Sequence, residues 1–245
     1  HRRRRRRLGG GCVAIRWKDH SPLKFLVTSA AIARVYDVIG DIHGYAVSLE
    51  ALLRRLGYSE SRGAWRYPGG RRRAIFVGDF IDRGPAIRRT LEIVFNMIEA
   101  DSATAILGNH EYNAVAWALA DDGGRPLRRR TAARYRQHRR TLEEYGDGSS
   151  PAEAMPRSEI DRLRRIPLFF ENDDLRVVHA VWDDPSIDAI RRRPAALSDD
   201  AFLAAAARRG TAEHRIVETL LKGVEIDLPE GSSYVDKDGA TRRTT

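Results

Sequence analysis

Cysteine is almost missing from the sequence, because Cys12 is the single thiol among 245 residues. One cysteine cannot form an internal disulfide, which excludes the class of small disulfide-bonded secreted proteins and suits a reducing compartment. Long apolar runs are missing as well, since the apolar stretch at 24–32 is too short and too interrupted to reach the ~18 residues that a membrane span needs. We therefore expect a cytoplasmic protein that has no membrane partner.

Acidic residues are fewer than basic ones, 34 against 43, which gives a formal net charge of +9. Six of the positive charges are consecutive arginines at 2–7, so that a charge of +3 remains for the rest of the chain. We interpret residues 1–33 as a flexible or non-native tail and leave them out of the fold prediction. An arginine tail that binds the phosphate backbone of a nucleic acid is the alternative interpretation. Nucleic acid is not the main partner that we expect.

From residue 34 onward, one pattern occurs three times: an apolar strand, a short polar loop and an amphipathic helix. The loops read GDIHG at 40–44, GDFIDRGP at 78–85 and GNHE at 108–111. The segments that follow the loops show apolar residues at helical spacing. Three such units in series predict an α/β fold with a mostly parallel central sheet, built as one domain over residues 34–245.

The polar residues of these loops directly follow the strands, which is where ligands bind in open α/β sheets. They are Asp41, His43, Asp79, Asp82, Arg83, Asn109, His110 and Glu111. Taken singly, each has a simpler explanation, because an aspartate after a strand is often a helix N-cap and a lone histidine is often a surface residue. Three such loops in series argue instead for a site. Oxygen and nitrogen ligands of this kind suit manganese, iron or zinc better than a calcium cage.

The three loops resemble those of the calcineurin-like metallophosphoesterases. The DRG and GNHE sequences are most similar to the branch that holds the PPP-type serine/threonine phosphatases and the symmetrical diadenosine tetraphosphate hydrolases. The resemblance extends over residues 34–179, more than half of the chain. It implies a four-layer α/β sandwich with two facing sheets and a helical cap insertion at about 121–165. It also implies two divalent metal ions, for which manganese is expected first and iron or zinc are alternatives.

The resemblance further implies a ligand set for the two ions. Asp41 and His43 would hold the first ion. Asp79 would bridge it to the second ion, which Asn109 and His179 would complete. His179 ends the apolar stretch LRVVHA, which reads as one strand of a hairpin. The family often has two glycines after this histidine, whereas this chain has alanine and valine.

Three further residues receive roles in the reaction from the same resemblance. His110 would protonate the leaving alkoxide or stabilise its charge, and Asp82 would hold the imidazole in place. Arg83 would bind the phosphate oxygens with its forked guanidinium. The resemblance thus implies a metal-dependent phosphoesterase that hydrolyses phosphate monoesters or polyphosphate anhydrides by metal-activated hydroxide.

Several substrates and one role without turnover stay open at this stage. The expected substrate is a phosphorylated small molecule or a nucleotide; a diadenosine polyphosphate is the first specific alternative, and a serine/threonine phosphoprotein is the second. The chain is alternatively a catalytically impaired protein that binds phosphate or nucleic acid, because the family's final histidine ligand, in a Gly-His pair, is missing after His179. The one later histidine, His214, lies in a predicted helix. We expect the sequence to be cut off before that ligand, which would weaken the binding of at least one ion.

The expected cap at about 121–165 is rich in arginine and includes Tyr135, His138 and Tyr145. Its central segment predicts a solvated helix with few core positions. In the alternative interpretation, its arginines and aromatic residues receive a polyphosphate or a nucleotide. Residues 201–221 predict two more helices that carry no identifiable chemistry.

Overall fold

The computed structural model describes residues 35–224, 228–235 and 241–242, so that the tail expected at 1–33 lies outside the described residues. The strands, in chain order, are β1 Val35–Ile39, β2 Ser59–Ser61, β3 Ala64–Arg66, β4 Arg72–Phe76, β5 Ala103–Ala105, β6 Phe169–Glu171, β7 Arg176–Val178, β8 Tyr234–Val235 and β9 Thr241–Arg242. The helices are α1 Ala46–Leu56, α2 Ile87–Glu99, α3 Asn109–Ala118, α4 Ala132–Tyr145, α5 Arg157–Leu163, α6 Asp184–Arg191, α7 Asp200–Ala206 and α8 Ala212–Lys222. A single 3₁₀ turn at Ala196–Ser198 connects α6 to α7 within this described part.

A three-stranded parallel sheet, in the order β1, β4, β5, lies at the centre of the fold. Ile39 at the end of β1 pairs with Phe76 at the end of β4, and Phe76 pairs with Ala105 at the end of β5. The three strands therefore end level with one another, and the three polar loops start at the same edge of the sheet. The predicted α/β fold with a parallel central sheet is confirmed.

Apolar side chains of α1 and α2 form the main core together with residues of the sheet. Leu49 and Leu53 of α1, Leu91 and Val94 of α2, and Phe76 of β4 are all buried there. The spacing of three or four residues within each helix places these side chains on one face. Each fully buried side chain of this size stabilises the fold by roughly 1.5–3 kcal/mol. This core therefore stabilises the sheet from which the three loops start.

The hairpin of β6 and β7 covers the opposite face of the parallel sheet. Ile75 and Ile106 are buried there against Val177 of β7. The rings of Tyr36 and Phe170 meet edge to face with their centroids 5.8 Å apart. In the part of the chain that the structure describes, this second sheet has two strands. Its position on the central sheet explains how β7 brings its last residues to the edge where the loops start.

The cap segment is anchored to the domain through α4. The carboxylate of Glu144 accepts hydrogen bonds from the backbone nitrogens of Ile87 and Arg88, at 2.7 and 2.8 Å, and so caps the N-terminus of α2. The predicted helix is present, but it is not solvated on all sides, because His138 and Thr141 are buried. This face of α4 therefore packs against the rest of the domain.

The C-terminal part contains the two helices that the sequence predicts, α7 and α8. His214 lies on α8 and its Nδ1 atom donates to the carbonyl of Ala206, at 2.9 Å. This contact fixes His214 within the helical pair rather than among the polar loops. β8 and β9 pair with each other in antiparallel fashion. None of the helices described here has the length and apolar character to cross a bilayer.

Candidate active site

Backbone hydrogen bonds join the first polar loop to the second. The nitrogens of Ile42 and His43 both donate to the carbonyl of Asp79, at 3.0 and 2.8 Å, and the nitrogen of Gly44 donates to the carbonyl of Phe80 at 2.6 Å. Because these bonds run from backbone to backbone, they fix the two loops regardless of the side chains. The side chain of His43 is thereby held beside that of Asp79.

The carboxylate of Glu111 joins the third loop to the second. Its Oε2 atom accepts from the nitrogens of Asp79 and Gly108, at 2.8 and 3.1 Å, and its Oε1 atom accepts from the nitrogen of Phe80 at 2.7 Å. Burial, together with the charge of Asp79, raises the pKa of Glu111 to about 7, although two of the N–H donors oppose the rise. The sequence placed Glu111 in the cluster without giving it a role. Its contacts show that it holds two loops together.

Glu111→Gln is expected to lower the free energy of unfolding by roughly 2–4 kcal/mol, because the amide keeps one acceptor oxygen and turns an NH₂ group toward a backbone N–H. Urea unfolding followed by circular dichroism measures this change. The matched control is Glu92→Gln, since the side chain of Glu92 is 55% exposed and pairs with Arg89 at the surface; that variant should unfold like the parent. A change below about 0.5 kcal/mol for Glu111→Gln would show that the three hydrogen bonds are dispensable.

The loops adopt strained backbone conformations and approach each other closely. His43, Asp79 and Asp82 have φ values of 48°, 54° and 91°, a region that residues with side chains seldom adopt and that concentrates at functional sites. Gly78, at φ 87°, lies so close to Gly108 that a Cβ atom on Gly78 would overlap the nitrogen of Gly108. Glycine is therefore required at position 78, both for the conformation and for the contact between loops.

Asp79 lies at the centre of the cluster, with a different histidine near each of its carboxylate oxygens. Oδ2 is 3.7 Å from Nε2 of His43, and Oδ1 is 3.5 Å from Nε2 of His179. An oxygen ligand accompanies each histidine: Asp41 Oδ2 lies 3.5 Å from Nε2 of His43, and Asn109 Oδ1 lies 3.2 Å from Nε2 of His179. The five predicted ligands thus form two groups that share one carboxylate.

The donor atoms fit a metal ion better than they fit one another. Nδ1 of His43 bonds the carbonyl of Ile81 at 2.9 Å, and Nδ1 of His179 bonds the carbonyl of Val77 at 2.6 Å. A carbonyl only accepts, so each Nδ1 carries the proton and, in the neutral ring, Nε2 carries the lone pair. Nε2 of His43 is buried and has no hydrogen-bond partner among the described residues. Nε2 of His179 faces Asn109 Oδ1. Both atoms present a lone pair, and a cation bound between them would remove the repulsion.

His110 begins a second polar cluster beside the first. Its Nε2 atom lies 3.9 Å from Asp79 Oδ2, and its Nδ1 atom lies 2.6 Å from Asp82 Oδ2. The other oxygen of Asp82 accepts from Nδ1 of His138 at 2.6 Å and from the hydroxyl of Thr141 at 2.7 Å. One buried carboxylate therefore connects the imidazole of His110 to two residues of the cap helix α4.

The hydrogen bonds of this second cluster set the charge of its members. Burial disfavours the ionised form of Asp82, but the bonds from His110 and His138 outweigh it and hold the pKa of this carboxyl well below its usual range. Burial also disfavours the charged form of His110, and the bond to Asp82 outweighs it, so that the pKa of His110 is raised. Asp82 is thus a fixed anion that orients the imidazole of His110.

His138 and Thr141 are the members of this cluster that the sequence prediction missed. The prediction treated α4 as solvated because its sequence is dominated by arginine. A signal was available, since His138, Thr141, Leu142 and Tyr145 follow the spacing of one helical face and are buried or half-buried. Polar residues on such a face are easily mistaken for surface residues.

Two of the predicted site residues lie at the outer rim of the cluster. The side chain of Asp41 is 58% exposed. Arg83 is exposed next to the buried Asp82, and it forms no ion pair with any residue in the described ranges. Eight residues received a role from the resemblance, and the structure connects seven of them through contacts of His43, Asp79, Asp82 and His179. Arg83 is the eighth, and it is exposed to solvent beside them.

A known protein family is similar to this chain over the residues that carry the site. A family model described as calcineurin-like phosphoesterase matches residues 35–228. A protein of Geobacillus sp. (strain WCH70), named bis(5′-nucleosyl)-tetraphosphatase PrpE (asymmetrical), is 33% identical over 145 residues, which are 59% of this chain and 55% of that protein. The protein of the same name from Bacillus thuringiensis (strain Al Hakam) is 45% identical over 76 residues, or 31% of this chain and 30% of that protein.

The alignments with these relatives cover only part of each relative. The alignment with the Geobacillus protein spans about half of that protein's length. Among solved structures, the metallophosphoesterase from Sphaerobacter thermophilus is 21% identical, with 65% of this chain and 55% of that chain covered at a TM-score of 0.37.

Proposed function

The chain belongs to the calcineurin-like phosphoesterase family, and on that premise we propose that it hydrolyses phosphate esters or anhydrides with the help of two divalent metal ions. The observation that carries the proposal is the position of Asp79 between His43 and His179, each of which faces a different carboxylate oxygen. A carboxylate with one nitrogen ligand on each side is the arrangement that holds two ions at a short separation.

In this proposal the five ligands divide between the two ions. Asp41 and His43 would hold one ion, Asn109 and His179 would hold the other, and Asp79 would contribute to both. Manganese is the ion that we propose first, and iron or zinc suit the same nitrogen and oxygen donors. When bound, the ions polarise the phosphoryl oxygens and activate water near neutral pH.

The remaining residues of the site act on the substrate. Nδ1 of His110 is occupied by Asp82, so Nε2, which faces the cluster, is the atom that gives a proton to the leaving oxygen. Asp82 keeps the imidazole in that orientation. Arg83, exposed beside Asp82, binds the phosphate oxygens in a forked contact.

The cap is part of the proposal, because α4 reaches the site directly. His138 and Thr141 bond Asp82, and we propose that the segment at 121–165 lies over the substrate. The relatives are named for bis(5′-nucleosyl) tetraphosphates, and the arginine-rich cap suits a substrate with several phosphates. A dinucleoside polyphosphate is therefore the substrate that we propose first. We place the protein in the cytoplasm, which its single cysteine supports.

Product analysis with diadenosine tetraphosphate tests this function. The chain is incubated with Mn²⁺ and the substrate, and the nucleotides are separated by anion-exchange chromatography. The relatives' name specifies asymmetrical cleavage, so ATP and AMP are expected in equal amounts. Equal halves, two molecules of ADP, would instead place the chain with the symmetrical hydrolases that its motifs resemble.

The same experiment includes a phosphopeptide and p-nitrophenyl phosphate as further substrates. Free phosphate from a phosphoserine or phosphothreonine peptide, with diadenosine tetraphosphate intact, would select a protein phosphatase. Turnover of p-nitrophenyl phosphate alone would support a phosphoesterase activity and exclude both the dinucleoside polyphosphate and the phosphoprotein as substrates. Hydrolysis of none of the three would contradict the proposed function.

A further inference from the structure

Arg128 lies between α3 and the cap helix, with its side chain directed toward the active site. Its backbone nitrogen donates to the carbonyl of Ala116 at 2.8 Å, seven residues or ~10 Å along α3 from Asn109. Its guanidinium, however, donates through Nη1 to Asn113 Oδ1 at 2.6 Å, and Asn113 is only four residues or ~6 Å from Asn109. The side chain therefore runs back along α3 toward the end that carries Asn109.

A second contact holds the same guanidinium from the cap side. Nη2 of Arg128 donates to Gln137 Oε1 at 3.3 Å, and Gln137 directly precedes His138, which bonds Asp82. Two amide oxygens thus fix the guanidinium from two helices, one of which begins with Asn109 while the other supports Asp82. The contact with each helix independently places Arg128 beside the site.

The guanidinium of Arg128 has no carboxylate within ion-pair distance in the described ranges. Arg128 is half-buried, and it forms no ion pair there, whereas arginines such as Arg72, Arg89 and Arg162 pair with carboxylates. Burial, together with the positive charge of Arg134, lowers the pKa of Arg128 to about 10, although the charges of Asp82 and Glu218, beyond ion-pair distance, oppose the shift. A half-buried cation held by neutral oxygens is stabilised by an anion that comes to it.

We propose that Arg128 binds the phosphate chain of the substrate, beyond the phosphate that the metal ligands hold. This inference rests on the proposed function, because it takes the site at Asp79 and Asn109 as the place of the reacting phosphate. A single phosphate at that place does not extend one helical turn along α3, whereas the next phosphates of a polyphosphate chain do. Arg128 therefore selects polyphosphates over monoesters.

Calorimetric binding of two ligands tests the proposal without relying on turnover. The probes are inorganic phosphate and a diadenosine tetraphosphate analogue whose bridging oxygens are replaced by methylene groups, both with Mn²⁺ in excess. For Arg128→Gln, the Kd of the analogue is expected to rise about tenfold or more, while the Kd of phosphate changes less than about threefold. The matched control is Arg55→Gln on the exposed side of α1, outside the cap, which should leave both constants unchanged.

The outcomes separate this inference from the proposed function. Equal losses for both probes, no loss for either, or an analogue that binds the parent chain no better than phosphate would each overturn the role of Arg128. Arg128→Lys keeps the charge without the fork and should give an intermediate loss, which provides the comparison if the glutamine variant does not fold. Turnover of p-nitrophenyl phosphate by the parent chain is measured separately and reports on the proposed function alone.

Discussion

Asp79→Asn is expected to reduce the manganese-dependent turnover of p-nitrophenyl phosphate by about 10³-fold, which exceeds the 10–100-fold typical of residues that only support a metal ligand. Asp79 presents one oxygen to His43 and the other to His179. Asparagine replaces one of these oxygens with an NH₂ group and removes the negative charge. The variant can therefore contribute to one ion at most, and the steady-state rate measures the loss.

The control for Asp79→Asn is the same substitution at Asp122, which is exposed in the loop after α3. Asp122→Asn should hydrolyse p-nitrophenyl phosphate at the parent rate, since it changes the net charge equally but touches no predicted ligand. Thermal unfolding of both variants shows whether the fold is retained. If Asp79→Asn keeps more than a tenth of the parent rate, a shared role of its two oxygens is excluded.

Asp82→Asn is expected to lower kcat by about 10²–10³-fold with little change in KM. The carboxylate accepts from His110 on one oxygen and from His138 and Thr141 on the other. An asparagine has one acceptor oxygen, so one imidazole must rotate or change its tautomer. The proton on Nε2 of His110 is then no longer directed at the leaving group, while the metal ligands and the bound substrate stay in place.

The split between kcat and KM distinguishes this positioning role from simple destabilisation. Asp82→Asn is also expected to cost roughly 2–4 kcal/mol of unfolding free energy, because buried donors lose their acceptor, so the rates are compared well below the unfolding temperature. His138→Gln removes one of the two supports of Asp82 and should give a smaller loss of kcat, about tenfold. A rise in KM with unchanged kcat in either variant would mean that Asp82 serves substrate binding instead.

The parallel sheet and its three loops could be predicted from the sequence because their signals are local. Each strand, its glycine and the polar residues after it lie within about ten residues, and the helix that follows shows its buried face by spacing alone. Parallel strands that end level then bring the loops together without further information. The proximity of Asp79, His43 and Asn109 was predicted in this way.

The spacing of α4 indicates a buried face, but the partners of that face could not be predicted, because these contacts join residues that are far apart in sequence. Asp82 meets His138 and Thr141 across 56 and 59 positions, and no local pattern links the two segments. The partners of Glu111 were hidden for a different reason. They are backbone nitrogens, which leave no trace in the identity of the residues. Arg128 lies in an arginine-rich segment, and only its hydrogen bonds distinguish it from the neighbouring arginines.

The rate of p-nitrophenyl phosphate hydrolysis over a titration with Mn²⁺ tests the central claim most directly, once the chain has been freed of metal by a chelator. The ligand arrangement around Asp79 predicts a background rate without metal and a saturable rise as Mn²⁺ is added. A rate that is already high after chelation, or that stays at background at every Mn²⁺ concentration, would contradict the claim that this chain is a metal-dependent phosphoesterase.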